Sequence, residues 1–515
     1  MSFSREKGKA LTFTDRAVNH RVDPCVPYPS FRRLICATLS ASLLAGCVSA
    51  PKAPPASTLA LPDRLTDQPL AEDRQPVSAW WRLYRDPALD ALVEEALANN
   101  RDLRAAAAHW QEARALLGKA RAGQLPGATL SAGVGGGSTL QDQITAAWQG
   151  GDTIRTGPRY DLGGDVSWEL DLTGRLRAQV RAARADARTS AALLDGVRIA
   201  VAADVTGAWL RVCGFAHQAA VARDLLRQAK QVRDLVESLR AAGAGVPADV
   251  MRADATADAV EASIPALEAA RHDALAELAV LSGHMPGDGP VAVATCTQVP
   301  GLAETPPIGD GYGLLRRRPD VRAAESRLAA STARIGVAVG DLYPHIALSA
   351  QQAVSSPTPG GLRARGNMVW RIGPLLDWSF PDIGVARARI RQARAGEAAA
   401  LAAYDGAILN AFKEVNQAAR DYGAVLERQA ALTRAVERSA QADDLMRRQR
   451  AAGGATALEA LAALRARSEA SAALAAADLD VAAAQVRLFK ALGGGWEQAP
   501  PITQPHPSRT ISTAK

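Results

Sequence analysis

Apolar and polar residues alternate with a period of two in four short stretches of the chain. In the first pair, Leu130, Ala132 and Val134, then Leu162, Val166, Trp168 and Leu170, take even positions, while Ser131, Gly133, Asp161, Asp165, Ser167 and Glu169 take odd ones. The second pair repeats this with Ile346, Leu348 and Ala350, then Trp370, Ile372, Leu376 and Trp378, against Ser349, Gln351, Arg371 and Asp377. Period two sends successive side chains to opposite faces, so each stretch predicts a strand with one apolar and one polar face. After each pair the spacing changes to three and four: Leu194, Val197, Val201, Val205, Trp209 and Val212, then Leu401, Tyr404, Ile408, Phe412 and Val415. That narrow stripe resembles a coiled-coil seam and predicts helices from about 175 to 241 and from about 385 to 452. At 1.5 Å per residue each spans roughly 100 Å. Ala242-Gly243-Ala244-Gly245 and Ala452-Gly453-Gly454 end them in glycine-bearing turns. Pro247 and a Thr456-x-x-Glu459 capping box mark where shorter helices turn back.

The two halves are copies. Asp102-Leu-Arg-Ala-Ala matches Asp320-Val-Arg-Ala-Ala, and Gly118 and Pro126 match Gly336 and Pro344 at one offset of 218 residues. Trp168, Gly174, Gly243, Asp249 and Gly283 then match Trp378, Gly384, Gly453, Glu459 and Gly493 at an offset of 210. The register changes once, between Pro126 and Trp168, which places an exposed loop there. A soluble sandwich would give the same alternation. Strands of about ten residues with aromatic ends and long polar loops fit a lipid-facing barrel better. Four strands cannot close a barrel, and hydrocarbon does not tolerate an open edge, so subunits must pool their strands.

Composition narrows the choice. A low aromatic share and many alanines favour helix packed on helix. Of the formal charge of +7, residues 1–46 hold +4, leaving too little elsewhere to imply a polyanionic partner, and nucleic acid is excluded. Arg32 and Arg33 precede an apolar run, Leu34 to Leu44, that is too short to span a bilayer and ends in Leu44-Ala45-Gly46-Cys47. This resembles a bacterial lipobox, with Cys47 lipidated as the first residue of the mature chain. Val48 stands where aspartate would favour inner-membrane retention, so the resemblance implies sorting to the outer membrane. No later apolar run reads as long enough for a transmembrane helix. Cys213 sits in a helical apolar pattern and reads as a small buried residue in preference to half of a disulfide or a metal ligand, and Cys296 is given no role.

SWELDLTGR at Ser167 to Arg175, IPALEAA at Ile264 to Ala270, LLRRRPDVRAAE at Leu314 to Glu325 and KALGGGW at Lys490 to Trp496 follow one another in this order. Together with the lipobox and the duplication they make the chain resemble the TolC superfamily of outer-membrane efflux factors, within it the NodT-type lipoproteins, over Trp80 to Trp496. The resemblance implies a mainly α fold with transmembrane β: a trimer whose twelve-stranded β-barrel continues into a twelve-helix α-barrel tunnel in the periplasm. It divides the chain into a signal peptide with a long N-terminal extension (1–46), a lipidated linker (47–75), two repeats (76–300 and 301–495) and a disordered tail (496–515). It also implies a periplasmic adaptor, or membrane fusion protein, and an inner-membrane RND-type transporter as partners, with outer-membrane lipid around the barrel. Gly243 and Gly453 become the pump-facing tips.

In the family the tunnel narrows at the tip of the second copy, where a tyrosine three residues before the turn glycine and acidic residues six and nine after it hold it shut. Those positions here are Arg450, Glu459 and Ala462, so the tyrosine and one acidic ring are absent. Arg450 paired with Glu459, within or between protomers, with Asp249 as the first-copy match of Glu459, forms the candidate periplasmic gate; Glu459 also suits the capping box with Thr456. No catalytic, cofactor or metal constellation is legible. The phosphate-binding, zinc-protease and nucleophile-elbow motifs are missing, and the glycines at 133 and 135 to 137 lie on a strand and do not open a helix. Export of small molecules such as drugs is the function implied. A type I protein-secretion duct and a non-conducting structural periplasmic lipoprotein are the alternatives.

Overall fold

A computed structural model describes residues 50–60, 78–287 apart from 139, 152, 153 and 155, 296–307 apart from 305, 311–378 and 383–494. All belong to one compact unit. The signal segment, Cys47 and the C-terminal tail from 495 lie outside the described residues.

Each half of the chain builds the same succession. The first runs α1 (Pro87–Asn99), α2 (Arg101–Ala122), β1 (Gly127–Gly137), α3 (Leu140–Trp148), β2 (Gly157–Leu170), α4 (Arg175–Ala241) and α5 (Pro247–Leu281). The second runs α6 (Gly311–Arg317), α7 (Pro319–Gly340), β3 (His345–Ser356), β4 (Met368–Asp377), α8 (Ile383–Ala451) and α9 (Ala457–Leu492). The pairing of copies extends to length: α2 and α7 have 22 residues each, α4 and α8 have 67 and 69, and α5 and α9 have 35 and 36. The extra sequence of the first copy is the loop that carries α3, as the single change of offset predicts.

The strands form one antiparallel sheet in the order β1-β2-β3-β4. Leu130 pairs with Gly164, Trp168 with Leu348, and Ala350 with Ile372, so even residues face even residues throughout. The helices pack as antiparallel hairpins, α4 with α5 and α8 with α9, while α7 lies between α4 and α8 and α2 lies along α4. Close approach of these rods depends on small side chains, and the buried face of α4 is dominated by Ala and Val.

The main core lies where α1, α2, α4, α5 and α9 converge. Trp80 stacks on Phe489 at 4.7 Å, and Trp209 donates its indole N–H to Asp86 at 2.7 Å. Here the structure corrects two sequence readings. Cys213 and Cys296 form a disulfide, with Cα atoms 5.0 Å apart. Cys213 is fully buried as expected, but it also fastens the linker between the repeats to α4; Val299 and Leu302 of that linker pack on the same core. The second correction concerns α4, which contains an 18-residue window of mean hydropathy 1.4, apolar enough to cross a membrane by length and composition. Neighbouring helices take up that surface instead, and 67% of the window is buried within the protomer.

Arg318, from the LLRRRPD stretch, ties the second repeat together. Its buried guanidinium bonds to Asp320 and Glu414, both at 2.6 Å, and to the Ala491 carbonyl at 2.8 Å. Burial opposes the charge, yet the Asp320 and Glu414 carboxylates hold the Arg318 pKa above its ordinary value.

Candidate functional site: a membrane sheet, a tunnel and its tips

One face of the sheet carries Leu130 and Val134, then Leu162, Val166 and Trp168, then Leu348, then Trp370, Ile372 and Leu376. These side chains are exposed, Leu130 at 81%, Val134 at 77% and Ile372 at 66%. Water does not retain a contiguous apolar surface of this kind without a partner. The other face carries Ser131, Arg159, Asp161, Asp165, Ser349, Gln351 and Arg371, with Val369 and Leu375 on the edge strand β4 as departures. Tyr160 and Trp168 on β2, and Trp370 and Trp378 on and just after β4, stand eight residues apart in each case. That is about 27 Å along a strand, or about 20 Å after a tilt of ~40°, close to the apolar band between the aromatic girdles of a membrane barrel. Trp168 keeps its N–H on the Gln124 carbonyl at 3.0 Å while its ring faces outward.

At the far end, Gly243 and Gly453 close the two hairpins with φ of +75° and +80°, and a Cβ at either would meet nothing within 4 Å. Left-handed backbone explains why glycine stands there, and the open space shows two unobstructed tips. The tips share a cavity of about 960 Å³ whose lining includes Leu235, Leu239, Asp249, Asp443, Arg450 and Thr456. Arg450 and Asp249 are thus brought to one place. Glu459 is occupied otherwise: it accepts from the Thr456 N–H at 2.7 Å and its hydroxyl at 2.8 Å, completing the capping box. Those hydrogen bonds lower its pKa, so the carboxylate stays charged throughout the neutral range. Asp249 bonds to Arg252 at 3.0 Å. Sequence reading missed Asp443, 2% exposed, which Arg467 and Arg447 approach at 2.9 and 3.3 Å and which joins α8 to α9 below the tip. Its position on the apolar stripe of α8 was the available signal.

A sheet with one lipid-suited face, prolonged by helices of about 100 Å, defines a protomer of a conduit through and beyond a membrane. Residues 92–284 and 312–494 match the profile of the outer membrane efflux proteins, and the chain belongs to that family. It is 30% identical to the pyoverdine export outer membrane protein OpmQ of Pseudomonas aeruginosa, over 89% of this chain and 96% of that one. Nodulation protein T of Rhizobium leguminosarum bv. viciae is 29% identical over 94% and 98%. Among solved structures, the outer-membrane channel OprN superposes with a TM-score of 0.76 at 35% identity, covering 87% of this chain and 98% of that one. The fold is that of an outer-membrane efflux channel, barrel strands leading into tunnel helices, and the protein is the outer-membrane component of an efflux system.

Proposed function

We propose that three copies of this chain pool their strands into a twelve-stranded barrel and their helices into a twelve-helix tunnel. The assembly is the passive exit duct of a tripartite pump, docked at its tips by a periplasmic adaptor and an inner-membrane RND-type transporter that drives small molecules outward. The observation that carries this reading is the apolar face, interrupted by Gln352 of β3, that runs across all four strands of a sheet whose edges, β1 and β4, are open. Such an edge survives in lipid only by pairing with another chain.

Lipidation of Cys47 belongs to the same proposal. Ala50 lies within contact distance of Gly336, four residues before α7 ends toward β3, while Leu59 packs near Val321 at the other end of α7. The linker therefore runs along α7 with its earlier residues nearer the sheet. Cys47 is three residues upstream of Ala50, a reach of about 10 Å, which suits an acyl chain entering the inner leaflet of the outer membrane. Cys47→Ser should abolish palmitate labelling while heat-resistant trimers persist in the outer-membrane fraction, because the barrel holds them independently. A soluble, stably monomeric wild-type protein, recovered with its lipidation site intact, would sink the trimeric-duct reading.

The gate proposal rests on the tip. The gate reading pairs Arg450 with Glu459 across protomers of the closed duct, through the carboxylate oxygen that the capping box does not use, with Asp249 facing the same cavity as Arg450. An exposed pair of this kind is weak, because water and salt screen it, so three make a shallow closed state. Salt screens such pairs, whereas neutral-range pH does not discharge Glu459. In planar bilayers the open probability should rise with ionic strength, and Glu459→Gln should open more readily at low salt. A mutant as closed as wild type, with neither responding to salt, overturns the gate.

A further inference from the structure

The loop between β1 and β2 contains a helix, α3, that the barrel itself does not require. Two observations fix its setting. Arg159, at the outer end of β2, donates through Nη2 to Asp142 of α3, and both side chains are largely enclosed, at 15% and 23% exposure. Arg159 belongs to the odd, polar face of the sheet, the face that also carries Asp161 and Asp165. The ion pair therefore draws α3 over the polar side of the sheet, away from the lipid side.

The rest follows from helical geometry. At 100° per residue Asp142 and Ala146 share one side of α3, and both are half-buried against the protomer. Ile144 and Trp148 fall on the opposite side and are exposed at 43% and 88%. A helix leaning on the polar face through Asp142 thus presents an isoleucine and a tryptophan toward the space which that face encloses. A tryptophan offers roughly 150–250 Å² of surface for burial, and among the described residues nothing covers this one, which is 88% exposed. The second loop differs: Pro359–Arg363 forms a short 3₁₀ turn rich in glycine, packed onto β2 and β3, with no comparable apolar face.

We propose that the Ile144–Trp148 face of α3 docks on its own copies, three helices meeting near the axis to form an apolar lid over the outer mouth of the duct. The Asp142–Arg159 pair is the strap that holds each helix inward. This rests on the trimeric barrel proposed above. The partner that fits the face is a second copy of the chain, since a closed barrel brings three identical apolar faces to one small aqueous space, where mutual burial is their only route out of water.

The test uses full-length protein in outer membranes, with trimer formation established separately by heat-modifiable mobility. Cys213 and Cys296 are paired, so Trp148→Cys introduces a free thiol at the lid. On mild oxidation with copper phenanthroline, two such thiols lose two electrons and two protons to the oxidant and form one disulfide. Covalent dimers on non-reducing denaturing gels are expected. A second arm places Ser131→Cys on the polar face of β1 and measures its labelling in intact cells by a bulky, membrane-impermeant maleimide. Labelling should be slow in the parent and accelerate severalfold on Ile144→Ala with Trp148→Ala, or on Arg159→Ala. Trimers that neither cross-link at 148 nor change their labelling overturn the lid while leaving the duct intact. Quenching of Trp148 by brominated lipid instead would assign the face to the membrane and equally overturn it. Absence of trimers would remove the duct reading itself.

Discussion

Arginine at Leu162 should prevent stable insertion of the barrel, whereas arginine at the adjacent Asp161 should be tolerated. Leu162 lies on β2, an inner strand of the sheet, on the apolar face two residues inside the Tyr160 girdle position, and Asp161 points to the polar face. A charge on the lipid face of a barrel costs about 2–4 kcal/mol at the midplane and less toward the interface. With three copies in the proposed trimer the total is several kcal/mol, comparable with the whole stability of many folded domains. Heat-resistant trimer in outer-membrane fractions should fall to background for Leu162→Arg and stay near wild type for Asp161→Arg. Equal behaviour of the two variants would mean that the even face is not the lipid face.

Tryptophan at Gly243 should abolish efflux while trimer and barrel remain. The residue has φ of +75° at an open tip, so any side chain brings backbone strain, of order 1–3 kcal/mol, and a large one also brings bulk to the surface proposed above to dock the adaptor. Gly243→Ala separates the two effects. It carries the strain but adds only a methyl group into free space, and it should keep most transport. Accumulation of an exported dye, set against trimer abundance, is the measurement. Loss of transport in both variants would assign the role to the turn conformation, and full transport in Gly243→Trp would move the docking surface elsewhere.

The candidate tip was legible only in part. The glycine turns and the Thr456–Glu459 box are local, written within a few residues, and the structure contains both. The cavity that joins Asp249 to Arg450 depends on two hairpins some 200 residues apart in sequence lying side by side, and no periodicity announces that. Asp443 shows the same limit. A single acid on a seam reads as a break in the pattern until Arg467 from the returning helix is seen beside it.

What the amino-acid sequence determined by itself is everything that neighbours in the chain decide. The period of two made strands, the period of three and four made long helices, glycine permitted left-handed turns, and duplication repeated the set with one altered loop. Tertiary structure decided what distant segments do to one another. It brought four separate alternations into a register that puts every apolar face on the same side, a result a one-residue slip would reverse. It joined Cys213 to Cys296 across 83 residues of sequence, and it buried in a bundle a stretch of α4 that hydropathy alone would allow into a membrane. Local patterns record which face of an element is apolar; whether lipid, a neighbouring helix or another subunit covers that face depends on packing, which short-range sequence does not encode.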